Sequence, residues 1–308
     1  MKIALIGQSA FGKSVLEALV EQDDDEIVGV FAPPTKEGRS PDPIHGAANE
    51  LKIALFEFKR LRDQEAIDKF ASLEPELCVM AFVTDIVPMD MINSPAKGTI
   101  QYHPSLLPLH RGPSSINWPI INGETKTGLT IFWPDEGLDT GPVLMQKHVS
   151  IAPEATLGSL YFNKLYPLGV KAMIESVNLV RSGNAPKIEQ DHSMATYESW
   201  CKSSDVTVDW TDNTSTVFNM IRGGDPQPGA NTTFNRTKLS LYDAELSSYG
   251  SEGQEPGSAV EIGTNKLIIS TSDGSVAIGR VRAAGGKKIG AGAWAESVGL
   301  AVGDEFGT

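Results

Sequence analysis

Cysteine is scarce: the 308-residue chain holds only Cys78 and Cys201. Two thiols cannot staple a disulfide framework, and neither stands at metal-ligand spacing from a second Cys or His, so no metal site is expected. Both read as reduced thiols, Cys78 in an apolar strand-like run and Cys201 beside a polar, linker-like stretch. Long apolar runs are also missing. Ile3–Ile6 is too short for a signal-peptide core, and no segment approaches the ~20 residues of a membrane-spanning helix. A cytoplasmic protein without a membrane partner is expected, and the sequons at Asn213, Asn231 and Asn235 carry no weight there. Positive charge is in deficit, 26 Lys and Arg against 39 Asp and Glu, for a net charge of −13. A general nucleic-acid surface needs clustered Lys and Arg, so nucleic acid is not the expected partner. From Asp205 onward eight basic residues face thirteen acidic ones, and only Arg280, Arg282, Lys287 and Lys288 lie close together, around a Gly-rich turn.

What is present suits two folded domains with ordinary cores. Lys2–Ile6, Ile27–Phe31, Ile53–Phe56 and Leu77–Phe82 have the apolar runs of buried strands. Between them lie a helix of about ten residues from Phe11, with Val15, Leu16, Leu19 and Val20 on one face, and another near Gln64–Leu73. Strands alternating with helices imply βαβ units, hence an α/β fold with a doubly wound, largely parallel sheet. Pro33–Pro43 reads as a mobile loop, and Leu157–Arg181 as one long helix ended by Gly183 and Pro186. A catalytic domain over 1–183, a linker over 184–204 and a C-terminal domain over 205–308 are expected. In the last, a short helical piece at Val217–Ile221 precedes short strands, and Lys266–Ser270 and Ser275–Val281 flank an Asp273-Gly274 hairpin turn. These features suggest a small barrel. There is no internal repeat, and Ser247–Gly257 reads as a flexible low-complexity loop.

The most informative stretch runs from Gly98 to Gln146. Two buried-strand patterns, Thr99–Tyr102 and Leu129–Trp133, each end in a polar, Gly/Pro-rich loop. The first delivers His103 just before Pro104; the second opens into Asp135-Glu136-Gly137-Leu138-Asp139-Thr140-Gly141. Ligands of open α/β sheets bind outside the carboxyl ends of the strands, so the imidazole of His103 and the carboxylate of Asp139 are expected in one crevice. That pair suits general acid–base work.

Two other motifs compete. Gly7-Gln8-Ser9-Ala10-Phe11-Gly12-Lys13-Ser14 fits the phosphate-binding pattern G-x-x-x-x-G-K-[ST] between a strand and a helix. No later strand, however, ends in a clean Mg²⁺-holding aspartate, so a tight strand-to-helix turn is the competing reading. A serine hydrolase built on Ser105, His103 and Asp139 fails because Ser105 and His103 flank one proline and no G-x-S-x-G elbow appears. Ser105 reads as turn chemistry. His45, His110, His148 and His192 have no carboxylate at motif spacing and read as structural or exposed. Arg111-Gly112 reads as shaping the loop, with a substrate-carboxylate contact as the alternative.

HPSLLPLHRG followed by a D-x-G-x-D-T-G loop resembles the folate-dependent formyltransferases. That family includes glycinamide ribonucleotide and methionyl-tRNA formyltransferases and the hydrolase domain of 10-formyltetrahydrofolate dehydrogenase. The resemblance covers nearly the whole chain. It implies an OB-like C-terminal barrel, 10-formyltetrahydrofolate as formyl donor or substrate, and no metal. It further implies His103 as acid or oxyanion donor and Asp139 as the carboxylate that orients it. Phe82, Asp85, Ile86 and Val87 would line a folate pocket closed on the other side by the backbone of Asp135 to Leu138, including Gly137. One position departs from the family pattern. Most transferases have Asn-x-His at the strand end, whereas this chain has Gln101-Tyr102-His103, a carboxamide one methylene longer. Tyr102-His103, Phe132-Trp133 and Met220-Ile221-Arg222-Gly223-Gly224-Asp225 are similar to the hydrolase branch. Hydrolysis of 10-formyltetrahydrofolate is therefore the leading expectation. Formyl transfer to methionyl-tRNA or another amine is the alternative, and a non-catalytic folate-binding module is a third.

Overall fold

The computed structural model describes residues 1–250 and 253–307; Ser251 and Glu252, inside the Ser247–Gly257 stretch expected to be a flexible loop, and Thr308 lie outside the described residues. In chain order the elements of the amino-terminal half are β1 (Lys2–Gly7), α1 (Ser9–Gln22), β2 (Glu26–Ala32), α2 (Pro43–Glu50), β3 (Leu55–Glu57), α3 (Gln64–Ser72), β4 (Leu77–Ala81), α4 (Met89–Asn93) and β5 (Thr99–His103). There follow α5 (Asn117–Ile121), β6 (Lys126–Phe132), β7 (Val143–Ser150), α6 (Leu157–Leu160) and α7 (Tyr166–Arg181). The last part holds α8 (Thr214–Gly224), β8 (Ala230–Phe234), β9 (Thr237–Leu246), β10 (Ala259–Ile262), β11 (Leu267–Ser270), β12 (Ser275–Ala283), β13 (Ile289–Gly290) and α9 (Ala291–Val298).

The chain forms two compact units. One comprises residues 1–113, 128–149 and 164–197; the other comprises 114–127, 150–163 and 198 onward. The first is built on a seven-stranded sheet of order β3-β2-β1-β4-β5-β6-β7. Its first five strands are mutually parallel, and β6 then runs antiparallel to β5. Residues alternate between the faces of a strand. Ile3, Leu5, Val79 and Ala81 accordingly join one core with Phe11, Leu16 and Met173, while Ala4, Ile6, Cys78 and Met80 join another with Phe31 and Phe70. A sheet buried on both faces accounts for the unbroken apolar runs seen in the sequence. Burial also pushes the Cys78 thiol up to about 12.

Two local readings are revised. A helix, α2, follows the Pro33–Pro43 loop, with Pro43 in its first turn and the Asp42 side chain accepting from Ile44 N, the capping arrangement that suits both residues. The helix expected over Leu157–Arg181 is broken by a wide π turn at Tyr161–Leu165 before α7. Pro167 has no N–H to give the carbonyl four residues back, so the regular ladder cannot pass through it.

The second unit carries a six-stranded antiparallel sheet, β10-β11-β12-β9-β8 with β13 on β12. Val206, Trp210, Phe218, Leu241, Ile278, Trp294 and Phe306 belong to its core. The Asp273-Gly274 turn joins β11 to β12 as expected, closed by Thr271 N–H donating to the Gly274 carbonyl at 2.8 Å.

Candidate active site

His103 is the last residue of β5, and Gln101, two residues earlier, projects from the same face of the strand. Tyr102 points the other way and stacks on Phe11 with ring centroids 4.3 Å apart. The His103 side chain is buried; its Nε2 lies 2.9 Å from the His110 carbonyl. A carbonyl only accepts, so Nε2 carries a proton and Nδ1 is the nitrogen left for proton exchange. Nδ1 faces Asp139 Oδ2 at 3.6 Å, with the two side chains 6% and 8% exposed. That separation is an ion pair when the ring is charged and too long for a hydrogen bond. Low exposure strengthens the electrostatic coupling.

Asp139 does not arrive as the sequence suggested. Because β6 is antiparallel, Phe132 sits opposite Gln101 and Thr130 opposite His103, so the carboxyl end of β6 leaves toward the amino-terminal end of β5. The carboxylate reaches His103 because the following loop turns back on itself. Its neck is closed by Trp133 N–H donating to the Pro142 carbonyl at 2.9 Å, and Gly141 passes so near that a Cβ there would stand 1.8 Å from the Trp133 carbonyl oxygen. Asp135 Oδ1 accepts from Gly137 N at 3.0 Å and from the Thr140 hydroxyl. A Cβ on Gly137 would strike Thr140 Oγ1. Asp139 takes a left-handed backbone, φ 56°, and its Oδ2 accepts from Gly112 N at 2.8 Å.

Gln101 is half-buried, and among the described residues its carboxamide has no protein hydrogen-bond partner. Ser105, by contrast, is fully occupied: its hydroxyl donates to the Leu109 carbonyl at 2.7 Å, and its carbonyl accepts from Thr130 Oγ1 at 2.7 Å. It cannot serve as a nucleophile while acting as this staple.

The loop after β4 presents a mixed surface. Phe82, at φ 61°, and Ile86 are exposed, by 44% and 71%. Asp85 is spent on the backbone, accepting from Leu61 N at 2.7 Å and Ile86 N at 2.9 Å. The Val87 side chain is buried in the core. Of the four residues expected to line a pocket here, two thus offer apolar side chains, one shapes the loop and one packs inward. Leu138, on the Asp139 loop, is a further large apolar side chain at 58% exposure.

The phosphate-binding pattern at Gly7–Ser14 folds as a packing turn. Gly7 lets β1 approach β4, since a Cβ there would meet the Ala81 carbonyl oxygen at 2.7 Å. The amide at the start of α1, Ser9 N–H, already donates to the Asp42 carboxylate at 2.7 Å, which places negative charge where a phosphate would sit. Lys13 pairs on the surface with Glu17 at 3.6 Å, and Ser14 Oγ lies 2.7 Å from Tyr166 Oη.

His45 is structural, its ring bracketed by the Pro33 carbonyl at 3.0 Å and Thr35 Oγ1 at 3.2 Å. Sequence reasoning missed Gln190. This buried residue donates from Nε2 to the carbonyls of Asp139 and Gly141 at 2.9 and 2.7 Å. A lone Gln in a polar stretch carries no motif, so nothing local could have marked it. Among the described residues no cluster of three or more His, Cys, Asp or Glu is arranged for a metal ion, and no helix is long and apolar enough to cross a membrane.

Residues 1–177 match the family model "Formyl transferase", and residues 201–299 match "Formyl transferase, C-terminal domain". Cytosolic 10-formyltetrahydrofolate dehydrogenase of Xenopus tropicalis is 40% identical over 286 residues, 91% of this chain and 31% of that protein. Mitochondrial 10-formyltetrahydrofolate dehydrogenase of Homo sapiens is 40% identical over 285 residues, 91% of this chain and 30% of that protein. The chain thus spans about a third of the length of these relatives. Methionyl-tRNA formyltransferase of Pelotomaculum thermopropionicum is 32% identical over 296 residues, covering 95% of this chain and 94% of that protein. Among solved structures, HypX from Aquifex aeolicus in complex with tetrahydrofolic acid superposes with a TM-score of 0.72 at 19% identity, over 99% of this chain and 48% of the other. An N-formyltransferase from Helicobacter canadensis, in complex with folinic acid and dTDP-3-aminofucose, gives 0.68 at 18% identity over 94% and 100%. These two likenesses show a shared fold.

Proposed function

The chain belongs to the formyl transferase family, and from that premise we propose that it hydrolyses 10-formyltetrahydrofolate to tetrahydrofolate and formate. The observation that carries this reading is the buried His103–Asp139 pair beside the unspent carboxamide of Gln101. Identity of 40% to the dehydrogenases against 32% to the methionyl-tRNA enzyme supports water over tRNA as acceptor.

Hydrolysis of a formyl amide passes through a tetrahedral oxyanion. Asp139 accepts a proton from the attacking water as its oxygen bonds to the formyl carbon. The formyl oxygen becomes the oxyanion, and the N–H donors of Gln101 hold it. Asp139 passes the proton it took from water to His103 Nδ1, and His103 gives it to the departing folate nitrogen as the carbon–nitrogen bond breaks. Its Nε2–H stays on the His110 carbonyl throughout and keeps the ring aimed. The exposed side chains of Phe82, Ile86 and Leu138 supply apolar surface for the flat pterin, and backbone at Asp135–Leu138 supplies polar edges.

Formyl transfer to an amine is the second reading, favoured by the match to the methionyl-tRNA enzyme along 94% of its length. The C-terminal charges count against tRNA. Arg280 is paired with Asp243, and Lys288 lies 3.6 Å from Asp225 Oδ1. The small basic cluster is therefore half neutralised before any phosphate arrives.

The test is turnover of 10-formyltetrahydrofolate without an amine acceptor. Formate and tetrahydrofolate are expected in equal amounts, and initiator methionyl-tRNA at physiological salt is expected to leave the rate of folate turnover unchanged. Acceleration by that tRNA would replace the hydrolase with the transferase.

A further inference from the structure

We propose that Gln190, backed by the buried guanidinium of Arg111, is the positioning residue that holds Asp139 in its working place; this deepens the hydrolase reading and rests on it. Arg111 is 1% exposed. Its hydrogen-bond partners are Tyr197 Oη at 2.5 Å, Gln190 Oε1 at 2.6 Å and His192 Nδ1 at 3.0 Å, a phenol, a carboxamide and an imidazole rather than a carboxylate. A guanidinium only donates, so it dictates which end of the Gln190 amide faces it. The amide nitrogen is thereby turned toward the carbonyls of Asp139 and Gly141, at 2.9 and 2.7 Å. The charge behind the amide also strengthens those two bonds.

The two carbonyls belong to the Asp139–Thr140 and Gly141–Pro142 peptides, so one side chain fixes two peptide planes of the loop. Asp139 stands at φ 56°, a strained conformation that a non-glycine residue keeps only where its surroundings enforce it. The tripeptide His110-Arg111-Gly112 thus serves both members of the pair. The His110 carbonyl holds His103, Gly112 N–H holds the Asp139 carboxylate, and the Arg111 side chain acts on the Asp139 backbone through Gln190. Thr196 completes the backing, its carbonyl accepting from Arg111 N at 3.0 Å and its hydroxyl from His110 N at 2.7 Å.

Gln190→Leu and Gln190→Glu test the assignment. The leucine removes every bond. The glutamate keeps an acceptor for Arg111, with which it pairs, but has no donor for the two carbonyls and is expected to melt within a few degrees of the parent. Both variants should lose on the order of ten- to a hundredfold in kcat for 10-formyltetrahydrofolate, with KM within about threefold, because Asp139 acts in the transition state. Amide hydrogen exchange across residues 134–142 should rise about tenfold while that of β5 stays unchanged. Normal kcat and unchanged exchange in Gln190→Glu would overturn the assignment. A raised KM with preserved kcat would also do so, by making Gln190 part of the folate pocket, and loss of cooperative folding in both variants would make it a stability residue only. If the parent protein turns over no 10-formyltetrahydrofolate, the hydrolase reading fails, and the exchange measurement alone decides whether Gln190 holds the loop.

Discussion

Two turns in the amino-terminal unit look alike on paper and end differently. The turn after β1 and the loop after β6 both leave a buried strand, both contain glycines that permit close backbone approach, and both carry charged side chains. At the first, several of the polar groups are already engaged by the protein. Ser9 N–H is on Asp42, Lys13 on Glu17, and Ser14 on Tyr166. Beside the second, the groups are held but left with capacity: His103 Nδ1, at the end of β5, stands 3.6 Å from Asp139, and the Gln101 carboxamide has no hydrogen-bond partner among the described residues. A motif becomes a candidate site when its donors and acceptors are positioned without being consumed, since a group already bonded must break that bond before it can act.

The largest effect should come from the loop. His103→Ala or Asp139→Asn is expected to lower kcat by about 10²–10⁴-fold while folate binding, followed by tryptophan fluorescence, stays within about tenfold. Asparagine tolerates the left-handed backbone at 139, so Asp139→Asn reports on the charge rather than on folding. Full activity in either variant would erase the difference between the two turns. Gln101→Leu comes next, with a loss on the order of a hundredfold if its carboxamide holds the oxyanion; survival of activity would leave His103 as the only side-chain donor there.

At the turn after β1 the effects should be on stability alone. Asp42→Ala strips the acceptor from both Ser9 N–H and Ile44 N–H. It should cost about 1 kcal/mol, seen as a melting temperature lower by about 2–4 °C, with kcat unchanged. Lys13→Ala should be smallest, within about 0.5 kcal/mol for an exposed pair, and Mg²⁺-ATP should not bind the parent protein. Lys13-dependent ATP hydrolysis would reverse the comparison.

Much of this was legible residue by residue. The apolar runs of β1, β2 and β4 announced themselves because strands buried on both faces leave no polar position to dilute the pattern. His103 stood out because an imidazole can exchange a proton near neutrality and this one ends a strand, and Asp139 because it is a carboxylate in the Gly-rich loop after the next apolar run. The helix α2 was not legible, because what starts it is Asp42, a capping residue that also serves the distant Ser9. Nor was the break before α7: Pro167 was visible, but the apolar periodicity continued across it.

Residue type and spacing, which are properties of neighbouring positions, were enough for the α/β alternation, the C-terminal hairpin and the nearness of His103 to Asp139. The antiparallel turn of β6, the return of the Asp139 loop, the engagement of Ser105, of Ser9 N–H and of Ser14, and the place of Gln190 behind that loop were settled only in three dimensions. Hydrogen-bond partners such as Gln190 and Asp139 lie 51 positions apart, and no local pattern records which distant carbonyl a buried donor will find.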